Sequence, residues 1–113
     1  MLRYEDYLNY TRANLWEFTE LQGEKGELFK EHYAATYADG LFSSKVKRMM
    51  AMVGALAAGC EGCIMGQASR AIDAGATKDE ILEACSVAFS LGGTMTGSKI
   101  SLVMQLLKDK GML

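Results

Sequence analysis

Apolar and polar positions recur at a helical period through nearly the whole chain. From residue 2 to 21, Leu2, Leu8, Leu15, Trp16, Phe18 and Leu21 fall at near-helical spacing with charges between them. This predicts a first helix. Gly23 to Gly26 reads as a break. Leu28, Phe29, Tyr33 and Tyr37 then make the stripe of a second helix over about 27–37. Gly40 suits the left-handed position that ends a helix. Ser43 or Ser44 can cap a third helix over about 45–58, which Gly59 stops. A fourth helix runs from the Cys60–Cys63 region to about Ala74, and Gly75 closes it. Thr77-Lys78-Asp79-Glu80 reads as a capping box opening a fifth helix over about 78–90. "LGGT" at 91–94 is a further break, and a last helix spans about 95–110. No run alternates at period two. The expectation is an all-α fold of about six helices in one domain of residues 1–113, with N-terminal helices over 1–40 and a compact core over 41–110.

The third helix is apolar nearly all round from Met49 to Ala58. That suggests burial on more than one side and hence a homo-oligomer. The chain has 113 residues, half of them hydrophobic, and a net charge of −2. The mild acidity argues against a general nucleic-acid binder, which needs a basic stripe to neutralise phosphates. The longest apolar run, "MMAMVGALAA", is too short to span a bilayer, and "MLRYEDYLNY" lacks the apolar run of a signal peptide. A cytoplasmic protein with no membrane partner is expected.

Three cysteines are present, two of them in "GCEGCIMGQ" at 59–67. In a reducing compartment such a pair points to redox or metal chemistry rather than a structural staple. Cysteines at i and i+3 in the first turn of a helix share a face at a separation a disulfide can bridge. The free amides and the positive end of the helix dipole favour thiolate over thiol. The alternative is that both are small core residues. A zinc site would have to recruit Cys85 and His32, since no second pair has ligand spacing, so no metal and no cofactor is expected. Cys85, mid-helix in "EACSVAF", reads as a core residue.

The run "KVKRMMAMVGALAAGCEGCIMGQASRAIDAGATKDEILEACSVAFSLGGT" resembles the carboxymuconolactone decarboxylase family, in its CxxC-bearing, alkylhydroperoxidase D-like branch. The likeness covers about residues 41–110. It implies an all-helical subunit assembling into trimers or hexamers; a thiol–disulfide cycle at the pair would in addition call for an external thiol reductant as a partner. The resemblance also implies that Cys63 is the attacking thiolate and Cys60 the resolving thiol. That branch carries a glutamate twelve residues before the first cysteine and a histidine four after the second, which together relay a proton. Here those positions hold Arg48 and Gln67. Neither exchanges a proton near neutral pH, although Arg48 can stabilise a thiolate as a fixed charge. If Arg48 is buried it needs an anion, with Glu27, Glu31, Glu61 and the Cys63 thiolate as candidates. Otherwise it belongs to a solvated basic face with Lys45 and Lys47. His32, the single histidine, is a candidate to replace the missing one, against the plainer reading of a surface histidine.

These residues suit a thiol–disulfide oxidoreductase with weak peroxide-reducing activity. A competing reading is a non-catalytic or redox-sensing helical oligomer that binds a small ligand or partner, with Met49, Met50, Met52 and Met65 lining a plastic pocket. Lactone decarboxylation ranks below both, because no acid–base set for it can be placed on these residues.

Overall fold

Local capping chemistry places the helix ends in the computed structural model, which describes residues 4–113. Five helices follow one another: α1 (Tyr4–Leu21), α2 (Glu24–Tyr37), α3 (Ser44–Ala58), α4 (Glu61–Asp73) and α5 (Lys78–Asp109). The described residues contain no strand. Ser43 Oγ accepts from the Val46 amide at 3.2 Å and caps α3. Gly59, at φ 76°, ends α3 in the left-handed conformation that glycine adopts without a Cβ penalty. At α5 the expected capping box forms. Thr77 Oγ1 accepts from the Glu80 amide at 3.1 Å, and Glu80 Oε1 accepts from the Thr77 amide at 2.9 Å.

One boundary differs from expectation. The second helix begins at Glu24 rather than near residue 27, so Gly26 lies inside it, buried. A Cβ at Gly26 would collide with the Thr19 main chain of α1. This glycine is a close-approach residue, not a breaker. The expected break at 91–94 is present: at Gly93 (φ 62°, ψ −145°) the backbone leaves helical geometry, and the two helical segments on either side meet at a kink and are counted together as α5. Five elements therefore stand where about six helices were expected. Leu2, placed in the first stripe, lies outside the described residues.

The chain packs as two compact units that divide between Ala38 and Asp39. In the first, α1 packs on α2. Trp16 meets Tyr33 edge-on at 6.0 Å, and Tyr33 continues to Phe29 and Tyr37. Leu15, Phe18 and Leu21 of the first stripe are exposed.

In the second unit α3 packs on α4 and α5, and α4 on α5. The core is built from Met52, Leu56, Ile64, Ala68, Ile81, Ala88, Val103 and Leu107. Their spacing on α4, with Ile64, Ala68 and Ala71 at i, i+4 and i+7, is the buried stripe of an amphipathic helix. The helix carrying the cysteines is thus fixed by its inner face while its first turn stays at the surface.

Candidate functional site

Cys60 and Cys63 open α4 immediately after the left-handed Gly59. Cys60 is the N-cap in extended backbone, and its sulfur accepts from the Cys63 amide at 3.4 Å. The two sulfurs lie within disulfide-bonding distance, with Cα atoms 5.3 Å apart. Both cysteines are exposed. Buried thiols would be inert whatever the dipole, so exposure is what lets this pair meet a reagent. Cys85 differs on both counts. It is 3% exposed in the core, and burial pushes its thiol up to about 11.

Arg48 and Gln67, the residues that the resemblance aligns with the relay positions, touch each other. Arg48 Nη1 of α3 donates to Gln67 Oε1 of α4 at 3.0 Å. Gln67 stands one helical turn beyond Cys63 on the same face. Arg48 is half-buried. The partner in this bond is a neutral amide. The electrostatic demand is lower than full burial would impose, because a half-buried guanidinium keeps part of its hydration.

Glu61, in the first turn of α4, pairs instead with Lys99 of α5, with Nζ to Oε1 at 2.7 Å. This pair is not legible in the sequence. The partners are 38 residues apart, and no local spacing signals them. Lys45 does not belong to a simple solvated face either. Its Nζ donates to Glu80 Oε2 at 2.8 Å, tying α3 to the start of α5. The Lys45 hydrogen bond, helped by the Thr77 amide, holds the Glu80 carboxyl below its ordinary value.

Arg48, Cys60, Cys63 and Gln67 all fall in the second unit. His32 belongs to α2 of the first, where it is exposed and its Nε2 lies 3.5 Å from Thr36 Oγ1. Among the described residues no three His, Cys, Asp or Glu side chains gather as a metal site would require. Nor is any described helix long and apolar enough to cross a membrane. Separately, Val46, Met49, Met50, Val53, Ala84 and Val87 line an open apolar groove between α3 and α5.

A model of the carboxymuconolactone decarboxylase family matches residues 24–102. The match begins in α2 and so takes in a helix that the sequence likeness over 41–110 leaves out. Solved structures share the fold. A carboxymuconolactone decarboxylase family protein from Legionella pneumophila, solved in its apo form, is 24% identical. That alignment covers 90% of this chain and 91% of that one, with a TM-score of 0.83. A family protein from Thermotoga maritima, whose suggested role is in an antioxidative response, is 23% identical over 95% of this chain and 97% of that one, at a TM-score of 0.75. No curated protein matches the chain.

Proposed function

The chain belongs to the carboxymuconolactone decarboxylase family, and on that premise we propose that it is a thiol–disulfide oxidoreductase working through Cys60 and Cys63. The exposed cysteine pair at the start of α4 carries this reading. In the reduced protein the Cys63 thiolate attacks one sulfur of a substrate disulfide. A mixed disulfide forms and one thiolate leaves. Cys60 then attacks Cys63 Sγ, expelling the second thiolate and closing the protein disulfide. The net change is protein dithiol plus disulfide giving protein disulfide plus two thiols. An external thiol reductant runs the same exchange backwards to restore the pair. Exchange needs a thiolate and access, both of which an exposed helix start favours.

Peroxide reduction by the same pair is a slow side activity. Cys63 would take the terminal peroxide oxygen as a sulfenic acid and release an alcohol, and Cys60 would then expel water to form the disulfide. The leaving alkoxide needs a proton, and neither Arg48 nor Gln67 can deliver one. General acid–base help supplies about 10²–10⁴-fold, so its loss leaves a poor peroxidase. The suggested antioxidative role of the Thermotoga protein agrees with this class of chemistry.

A trimer or hexamer accompanies the proposal. Leu91 and Met95, flanking the kink in α5, are 77% and 82% exposed, which favours a partner over them. A monomer mass by light scattering would remove the oligomer. The groove between α3 and α5 supports a second reading, in which the scaffold binds an apolar ligand without using the cysteines.

The deciding experiment follows oxidation of the reduced protein by 2-hydroxyethyl disulfide and by hydrogen peroxide, in wild type, Cys60→Ser, Cys63→Ser and the double variant. We expect disulfide turnover well above peroxide turnover, and none without Cys63. A wild-type pair that neither reagent oxidises would refute the redox reading and leave the ligand-binding one.

A further inference from the structure

Resting on the redox reading of Cys60 and Cys63, we infer that the two sulfurs are unequal: Cys60 holds the more stabilised thiolate and is the leaving group when an external thiol reopens the disulfide, the incoming thiol entering at Cys63. Three observations carry it. First, Cys60 is the N-cap of α4, and its Sγ accepts from the Cys63 amide at 3.4 Å. This is the bond that an N-cap serine or aspartate makes to an otherwise orphan amide. A thiolate accepts it more strongly than a neutral sulfur does, because charge assistance strengthens a hydrogen bond. Second, the reciprocal arm of a capping box is occupied. A side chain at position 63 would have to reach back to the Cys60 amide, and that amide donates to the Ala55 carbonyl at 3.2 Å. The capping geometry therefore favours one sulfur over the other, although both share the field of the helix dipole. Third, the space beside Cys63 is open. Cys63 and Gly62 are exposed, and a Cβ built on Gly62 would meet nothing within 4 Å. A reductant can reach Cys63 Sγ from that side.

In disulfide exchange a thiol of depressed pKa is a better leaving group and a poorer nucleophile. The asymmetry thus suits Cys63 to attack and be attacked, and Cys60 to depart. On re-reduction the external thiolate attacks Cys63 Sγ. A bond forms between those two sulfurs, the Cys60–Cys63 bond breaks, and its electron pair leaves on Cys60 Sγ, which caps α4 as a thiolate. A second reductant thiolate attacks the reductant sulfur of this mixed disulfide and releases Cys63, which takes a proton from solvent. Two reductant thiols become one disulfide, and the protein disulfide becomes a thiolate–thiol pair.

The test compares the two sulfurs one at a time. Iodoacetamide alkylation is followed against pH for Cys60 in reduced Cys63→Ser and for Cys63 in reduced Cys60→Ser, with peptide mapping to separate both from Cys85. Serine at position 60 still caps the helix, and serine at 63 keeps the amide. The Cys60 midpoint should lie about one pH unit or more below that of Cys63, as expected for a sulfur held at a helix N-terminus. Cys63→Pro then removes the amide itself, since proline has no N–H and is tolerated in a first turn. In that variant, shown to be folded by circular dichroism, the Cys60 midpoint should climb toward the ordinary value of about 8.5. Equal midpoints for the two sulfurs, or a lower one for Cys63, would overturn the inference, and so would an unmoved Cys60 midpoint in folded Cys63→Pro. If Cys63→Pro does not fold, the first comparison decides.

Oxidised wild type exposed briefly to glutathione and quenched in acid reveals the point of entry, by mapping of the mixed disulfide. The adduct should sit on Cys63, and an adduct on Cys60 would overturn the assignment of the leaving group. A disulfide that glutathione and dithiothreitol both fail to open refutes the redox reading itself. Equal midpoints, by contrast, sink this inference and leave the redox reading standing.

Discussion

Replacing Gly26 with alanine sets two effects of known sign against each other. Alanine is favoured over glycine inside a helix by about 1 kcal/mol, and residue 26 lies inside α2. On propensity alone the substitution stabilises. The packing works the other way. A Cβ at this position would fall within the Thr19 carbonyl, with the carbonyl carbon only 2.9 Å away. That group is main chain and cannot rotate aside. Thr19 is itself buried, and its hydroxyl donates to the Leu15 carbonyl at 2.9 Å. Relief therefore requires α2 to withdraw from α1, which loosens the Trp16–Tyr33 contact as well. Overpacking of this kind costs about 1–3 kcal/mol, and a weakened aromatic pair adds about 0.5–1.5 kcal/mol. After the helix gain is subtracted, Gly26→Ala should destabilise the first unit by about 1–3 kcal/mol. Trp16 is the single tryptophan and touches this interface, so urea unfolding followed by its fluorescence reports the right region. Gly54→Ala in α3 is the matched control, because a Cβ there meets nothing within 4 Å. It should stabilise by about 0.5–1 kcal/mol. If Gly26→Ala also stabilises, close approach of the helices is not what holds glycine at position 26.

Restoring the missing proton relay with Arg48→Glu and Gln67→His together should raise peroxide consumption by about 10²-fold, the lower end for acid–base help, since glutamate is shorter than arginine and would work through a bridging water. Neither single change should do so, and a folded double variant no faster than wild type would count against the relay argument. The Glu80 carboxyl is held below its ordinary value of 4.5 by Lys45 and the Thr77 amide. Its charge-linked stability is therefore present above that ordinary value and lost as pH falls through the lower folded one. The stability gap between wild type and Glu80→Gln should close across that acid window, and a gap that is constant with pH would disprove the linkage. Cys85, with its thiol raised to about 11 by burial, should resist iodoacetamide at pH 8 while reduced Cys60 and Cys63 react. Intact mass before and after adding denaturant checks this, and native labelling of three thiols would contradict the burial.

Features made by neighbours in sequence were readable from the sequence. The Thr77–Glu80 box, the Ser43 cap and the Gly59 stop each involve a side chain or backbone angle within a few residues of its partner. The extent of α4, expected from the Cys60–Cys63 region to about Ala74 and observed as Glu61–Asp73, was readable for the same reason. Gly93 does break the helix, as expected, whereas Gly26 was assigned as part of a break and is not one, because a glycine in sequence does not say whether the chain turns there or another backbone approaches. Only the α1 main chain beside Gly26 decides that case. The cysteine pair was legible from its spacing, but its electrostatic surroundings were not. Arg48 meets Gln67, and Lys99 meets Glu61, only because three helices converge on the start of α4. Helical period sets the face each residue occupies, and it carries no information about which distant face will be opposite.

The crosslink between Cys60 and Cys63 spans residues only three apart. Because a ring that small removes little freedom from an unfolded chain, closing it adds at most about 2 kcal/mol by loop entropy. It also joins no helix to another. Neither Cys60 nor Cys63 is among the core side chains beneath α4. The chain can therefore acquire its shape before its oxidation state is decided. On the proposed redox reading, the pair can be oxidised and reduced at the surface without the fold being taken apart and rebuilt.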